Sequence, residues 1–153
     1  MKIVFGVIFM ALGSFIGKRV TDKYLQAKKY MSALASFNRA LISNLGYKRE
    51  TVKTLAQNSY GFADFDKTLA SAFCEDGDIY TPNYLNKVQA EFVRDYLNGV
   101  GRSNESGEKA FLSYSEGEIV KILAECEDKN KKYGSLGLKL GFAAGAAAFI
   151  LII

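Results

Sequence analysis

Both ends of this chain are apolar, and basic residues crowd against them. Residues 3–17, IVFGVIFMALGSFIG, carry no charge and are closed by Lys18 and Arg19; across 134–153 the only charge is Lys139. As helix the second run is long enough to cross a hydrocarbon layer of about 30 Å, and the first reaches roughly 22 Å at about 1.5 Å per residue. Lys18 and Arg19 can snorkel to the interface and make up the difference. Between the two runs, 153 residues leave room for one domain of ordinary size.

Charge distribution sets the expected orientation. Residues 18–60 hold nine Lys or Arg against two acids, 61–128 hold six against fourteen, and 129–153 hold four against none. Basic residues stay on the cytoplasmic side of a membrane, so Lys18, Arg19, Lys23, Lys28 and Lys29 at one end and Lys129, Lys131 and Lys132 at the other place the middle in the cytoplasm. The same bias argues against reading 1–17 as a cleaved signal peptide, since only Lys2 precedes the apolar run. Gly13 and Gly17 in the first run, and Gly137, Gly141 and Gly145 in the second, recur every four residues. That spacing leaves a flat strip on which helix backbones pack closely, against each other or against another protein.

The middle reads as helices. Val20, Tyr24, Ala27, Met31, Leu34, Leu41 and Leu45 follow a three-four rhythm, with Asn38 the polar member of the series and Gly46 expected to break it. Tyr47, Lys48, Arg49 and Glu50 read as a turn before a short helix bearing Val52, Leu55 and Ala56; Phe62, Phe65, Leu69, Ala72 and Phe73 mark the next apolar face. The acidic segment CEDGDIY is a loop. It is not a calcium loop, because Lys87 stands where a bidentate Glu is needed. Thr81 and Pro82 form an N-cap and first-turn pair for a helix lined by Leu85, Val88, Phe92, Tyr96 and Val100, stopped by Gly99 and Gly101. Ser103 or Asn104 caps a final helix on which Leu112, Ile119, Cys126, Tyr133 and Leu140 recur every seventh residue. The expected fold is therefore all-α: a transmembrane helix at 1–17, a cytoplasmic helical bundle over 18–133, and a second transmembrane helix at 134–153.

No constellation for catalysis, cofactor or metal emerges. There is no histidine, and Cys74 and Cys126 form no C-x-x-C pair, so they read as reduced thiols in a cytoplasmic domain. Glu116, Glu118, Glu125, Glu127 and Asp128 share a helix with lysines and read as a solvated, charge-paired face. The glycines of GVGRSN turn the backbone, since no Lys-Ser/Thr follows and no strand precedes. Bases clustered at membrane-proximal positions point to lipid headgroups and away from nucleic acid.

The C-terminal third resembles the stage III sporulation protein AB family of endospore-forming bacteria. Val100, Gly101, Arg102, Ser103 and Asn104 are similar to its Leu-Gly-x-Ser-Asp before the last helix, with Asn104 where Asp is usual. Lys132, Tyr133, Gly134, Ser135, Leu136 and Gly137 resemble its Lys-Leu-Tyr-x-Ser-Leu-Gly entry into the terminal span. The order of span, helical domain and span covers the whole chain. In the middle, Leu45, Gly46 and Tyr47 resemble its Ile-x-Tyr, but Asn44 replaces Glu, and Thr51 and Val52 replace Pro-Leu. The resemblance implies a multi-pass membrane component, on the mother-cell side of the forespore membranes, of the channel joining mother cell and forespore. Its cytoplasmic domain would be similar to those of the inner-membrane platform protein of type II secretion and type IV pilus systems. Such a protein docks a cytoplasmic secretion-type ATPase, stage III sporulation protein AA, alongside other membrane subunits of the channel.

The expected function is thus a non-catalytic scaffold in the bilayer, able to form homo-oligomers. Arg102, Ser103 and Asn104 are its candidate contact region, with Glu91 and Asp95 representing the acidic helices. The alternatives are a small membrane enzyme acting on lipid through paired carboxylates, with Glu91, Asp95, Glu105 and Glu108 as the acids to scan, and a self-associating membrane regulator.

Overall fold

The computed structural model describes residues 2–47, 51–73 and 78–152; side chains are described for most of 18–133 and for a few positions before and beyond. Among the described residues the regular structure is helix alone, in five segments: α1, Lys2–Tyr47; α2, Val52–Ala56; α3, Ala63–Phe73; α4, Lys87–Gly99; and α5, Glu105–Ile152. Among the described residues no helix is long and apolar enough to cross a membrane. The surroundings of most residues in 1–17 and 134–153, Gly13, Gly17, Gly137, Gly141 and Gly145 included, lie outside the described set, as do Lys48, Arg49, Glu50 and Cys74.

The chain forms two compact units, one from Met1–Lys28 with Glu125–Ile153 and one from Lys29–Ala124. In the first, Tyr24 of α1 stacks on Tyr133 of α5 with ring centroids 5.4 Å apart. Lys28 Nζ lies 2.8 Å from Glu127 Oε1, and Ala27 and Cys126 are buried. Tyr133 itself is 41% exposed, and Lys132 Nζ lies over its ring at 5.7 Å from the centroid.

The unit Lys29–Ala124 is organised by one stripe of α1. Tyr30, Met31, Leu34, Phe37, Asn38 and Leu41 are all buried, at the three-four spacing that keeps one helix face turned inward. Phe65 and Leu69 of α3, Val93, Tyr96 and Leu97 of α4, and Leu112 and Ile119 of α5 complete the core. At its aromatic end Tyr30 meets Phe65 edge to face at 5.3 Å and Phe37 meets Tyr60 in the same way at 5.3 Å. Such pairs contribute about 0.5–1.5 kcal/mol each beyond the area they bury. The Tyr30 hydroxyl donates to Thr68 Oγ1 at 2.9 Å, and burial raises its pKa well above the ordinary phenol value.

Asn38 is fully buried and satisfied on both sides. Its Nδ2 donates to the Leu112 carbonyl at 3.2 Å and its Oδ1 accepts from the Tyr96 hydroxyl at 2.9 Å. A backbone carbonyl only accepts, so the amide orientation follows from the network. One polar side chain therefore ties α1 to α4 and α5.

Several boundaries differ from the sequence expectation. α1 continues through Gly46 to Tyr47. α4 starts at Lys87, and its N-cap is Asn86, not Thr81. Asn86 Oδ1 accepts from Gln89 N at 2.9 Å while Gln89 Oε1 accepts from Asn86 N at 3.1 Å, a reciprocal capping box. Thr81 Oγ1 instead accepts from Arg94 at 3.3 Å, and Pro82 is a buried turn residue whose carbonyl accepts from Leu85 N. Val88, expected on the apolar side, is 71% exposed, because the buried face of α4 is centred on Gln89, Val93, Tyr96 and Leu97.

Candidate docking surface

The turn between α4 and α5 is built by three local devices. Val100 caps α4, its N–H donating to Tyr96 O at 3.1 Å. Gly101 then takes φ +77°, a left-handed conformation that costs an L side chain roughly 1–2 kcal/mol. Asn104 caps α5: its Oδ1 accepts from Gly107 N at 2.9 Å and its carbonyl from Glu108 N at 2.8 Å. Of the two caps the sequence allowed, Asn104 is the one used. Arg102, Ser103 and Asn104 stand together and exposed at the tip of this turn.

Glu108 fastens the turn from below. Oε1 accepts from Gly101 N at 2.9 Å, and the residue is only 6% exposed. Its other oxygen, Oε2, is buried with no hydrogen-bond partner among the described residues. Glu108 lies on a groove of about 400 Å³ lined also by Leu41, Asn44, Leu45, Val52, Ser103 and Leu112. In the sequence Glu108 is one acid among several. The missed signal is its place four residues before Leu112 on the stripe that continues to Ser115 and Ile119, all three buried.

Glu91 and Asp95 do not join this groove. Glu91 is exposed on α4 and lies 3.9 Å from Lys87, one turn before it. Asp95 borders a separate hollow of about 260 Å³ with Phe92, Tyr96, Phe111, Tyr114, Ser115 and Glu118. Three rings line that hollow in sequence: Phe92 stacks on Tyr96 at 6.4 Å and Tyr96 on Phe111 at 5.9 Å. Tyr114 beside them is 71% exposed. The Tyr96 hydroxyl is held protonated, chiefly by burial, then by the neighbouring Glu108 charge.

Four acids of α5 are paired with bases. Glu116 lies 3.6 Å from Arg39, Glu118 2.7 Å from Lys121, Glu125 3.8 Å from Lys129 and Glu127 2.8 Å from Lys28. These exposed pairs contribute little to stability. Among the described residues no group of three or more Cys, Asp or Glu side chains comes together in a way that would hold a metal ion. The chain matches no family model, no curated protein and no solved structure.

Proposed function

We propose that this chain is a non-catalytic platform subunit of a membrane channel complex, resembling the stage III sporulation protein AB family. Its apolar ends anchor it in the bilayer, and its helical unit docks a cytoplasmic secretion-type ATPase, stage III sporulation protein AA. The nucleotide chemistry belongs to that partner. The observation that carries the docking reading is the hollow between α4 and α5, where a three-ring stack is bordered by Asp95, Glu118 and the exposed Tyr114. Apolar rings ringed by charge are how interfaces combine desolvation with orientation, and acids there match a basic partner surface. The membrane placement rests on the basic flanks of both apolar runs.

The test is co-purification of the full chain in lipid nanodiscs with the ATPase. Capture is expected, weakened by Tyr114→Ala together with Asp95→Asn, and absent for an unrelated soluble ATPase. Absence of capture, or equal capture of both ATPases, refutes the reading. A cysteine reporter introduced at Asp78 is expected to be shielded from impermeant reagents in intact cells; labelling from outside refutes the cytoplasmic orientation.

A further inference from the structure

The groove at the α4–α5 turn is an unusual setting for a carboxylate. Leu41, Leu45, Val52 and Leu112 give it aliphatic walls, yet Glu108 sits on its lining with one oxygen paired to Gly101 N–H and the other, among the described residues, paired to nothing. Buried polar atoms are nearly always satisfied, and an unsatisfied charged acceptor is costlier than a neutral one. Something that brings donors completes the site. Glu105 is also on the lining and, among the described residues, no basic residue is, so the groove favours a cation.

We propose that this groove receives the guanidinium group of one arginine presented by the docking partner, with Glu108 as its acceptor. For its partner the proposal rests on the docking reading above; for its chemistry it rests on the groove alone. A guanidinium is more weakly hydrated than an ammonium and offers a planar fork of donors. It can satisfy Oε2 while Oε1 keeps its bond to Gly101, and its aliphatic stem matches the leucine and valine walls. A volume near 400 Å³ falls at the lower end of the roughly 300–1,000 Å³ typical of small-ligand pockets.

The experiment uses the full chain in nanodiscs, labelled with ¹⁵N-glycine and titrated with N-acetyl-L-argininamide. Gly101 is the reporter, since its amide is bonded to Glu108; Gly117, with open space around it, is the bystander. A saturable shift is expected at Gly101 and not at Gly117. The uncharged citrulline counterpart is expected to bind at least about tenfold more weakly, the loss typical when one member of a buried charge pair is removed. Glu108→Gln keeps an acceptor for Gly101 and is expected to remove the arginine preference. No saturable shift, equal response to citrulline, or an unchanged preference in a folded Glu108→Gln chain overturns the proposal. Should that variant fail to fold, the arginine and citrulline contrast on the native chain decides. ATPase capture is scored separately. Capture without an arginine response removes the groove assignment and leaves the docking reading standing, whereas an arginine response without capture does the reverse.

Discussion

The Asn38 node offers a direct test of how this bundle is held in one arrangement. Tyr96→Phe removes the hydroxyl that donates to Asn38 Oδ1 and leaves that oxygen buried in a residue with no exposed surface. An unsatisfied buried acceptor costs about 1–3 kcal/mol. Asn38→Leu strands the Tyr96 hydroxyl, on a residue 2% exposed, at a similar cost of about 1–3 kcal/mol. It also takes a donor from the Leu112 carbonyl, a smaller loss because that carbonyl lies inside α5. The double variant strands neither group, and replacing both partners by apolar groups of similar shape is close to neutral. The double variant is therefore expected to fall short of the summed single costs by roughly 2–6 kcal/mol, the two stranding penalties together. For a chain of this size each kcal/mol shifts Tm by about 2–4 °C. Thermal unfolding followed by the near-ultraviolet circular dichroism of tyrosine suits the question: the chain has nine tyrosines and no tryptophan, and seven of the nine lie in 29–124. Additive losses, or single variants indistinguishable from the parent, refute the idea that the two side chains form one satisfied unit.

Four further outcomes are expected. A Cβ at Gly99 would lie 2.6 Å from Phe111 Cζ, so Gly99→Ala must push that ring off Tyr96 and is expected to destabilise by about 1–3 kcal/mol. Gly117→Ala, in open space mid-helix, is expected to stabilise by up to about 1 kcal/mol, and matched thermal melts compare the two. Gly101→Ala forces a side chain into φ +77° and is expected to lose about 1–2 kcal/mol although space is available, which the same melts would record. The Glu127 pKa is lowered, first by the hydrogen bond from Lys28 and then by its charge. A depressed carboxyl contributes stability above its unfolded pKa and loses it as pH falls through the folded value. A carboxyl NMR titration is expected to place Glu127 below the ordinary glutamate range, and Lys28→Met to return it there.

Much of the helical plan was legible because it is local. The stripe on α1 shows in the spacing of Met31, Leu34 and Leu41, and Asn104 lies where a cap must precede a helix. The start of α4 was not legible, because two capping signals lie five residues apart. Thr81 with Pro82, and Asn86 with Gln89, are each locally sufficient. The fold uses the Asn86 and Gln89 box, while the Thr81 hydroxyl accepts from Arg94. Glu91 and Asp95 shared an acidic helix face on paper but serve different surroundings, a lysine one turn back and an aromatic hollow.

The sequence alone determined that the chain is helical and where its apolar and basic stretches fall, since side-chain periodicity and charge order are properties of the chain itself. Tertiary structure decided which polar groups are buried and with whom. Asn38 reaches across 74 residues to Leu112, and Glu108 is withdrawn from solvent beneath Gly101. Burial depends on what packs against a helix face, and that neighbour lies far away along the chain. An asparagine or a glutamate reads the same in the sequence whether water or a second helix stands beside it.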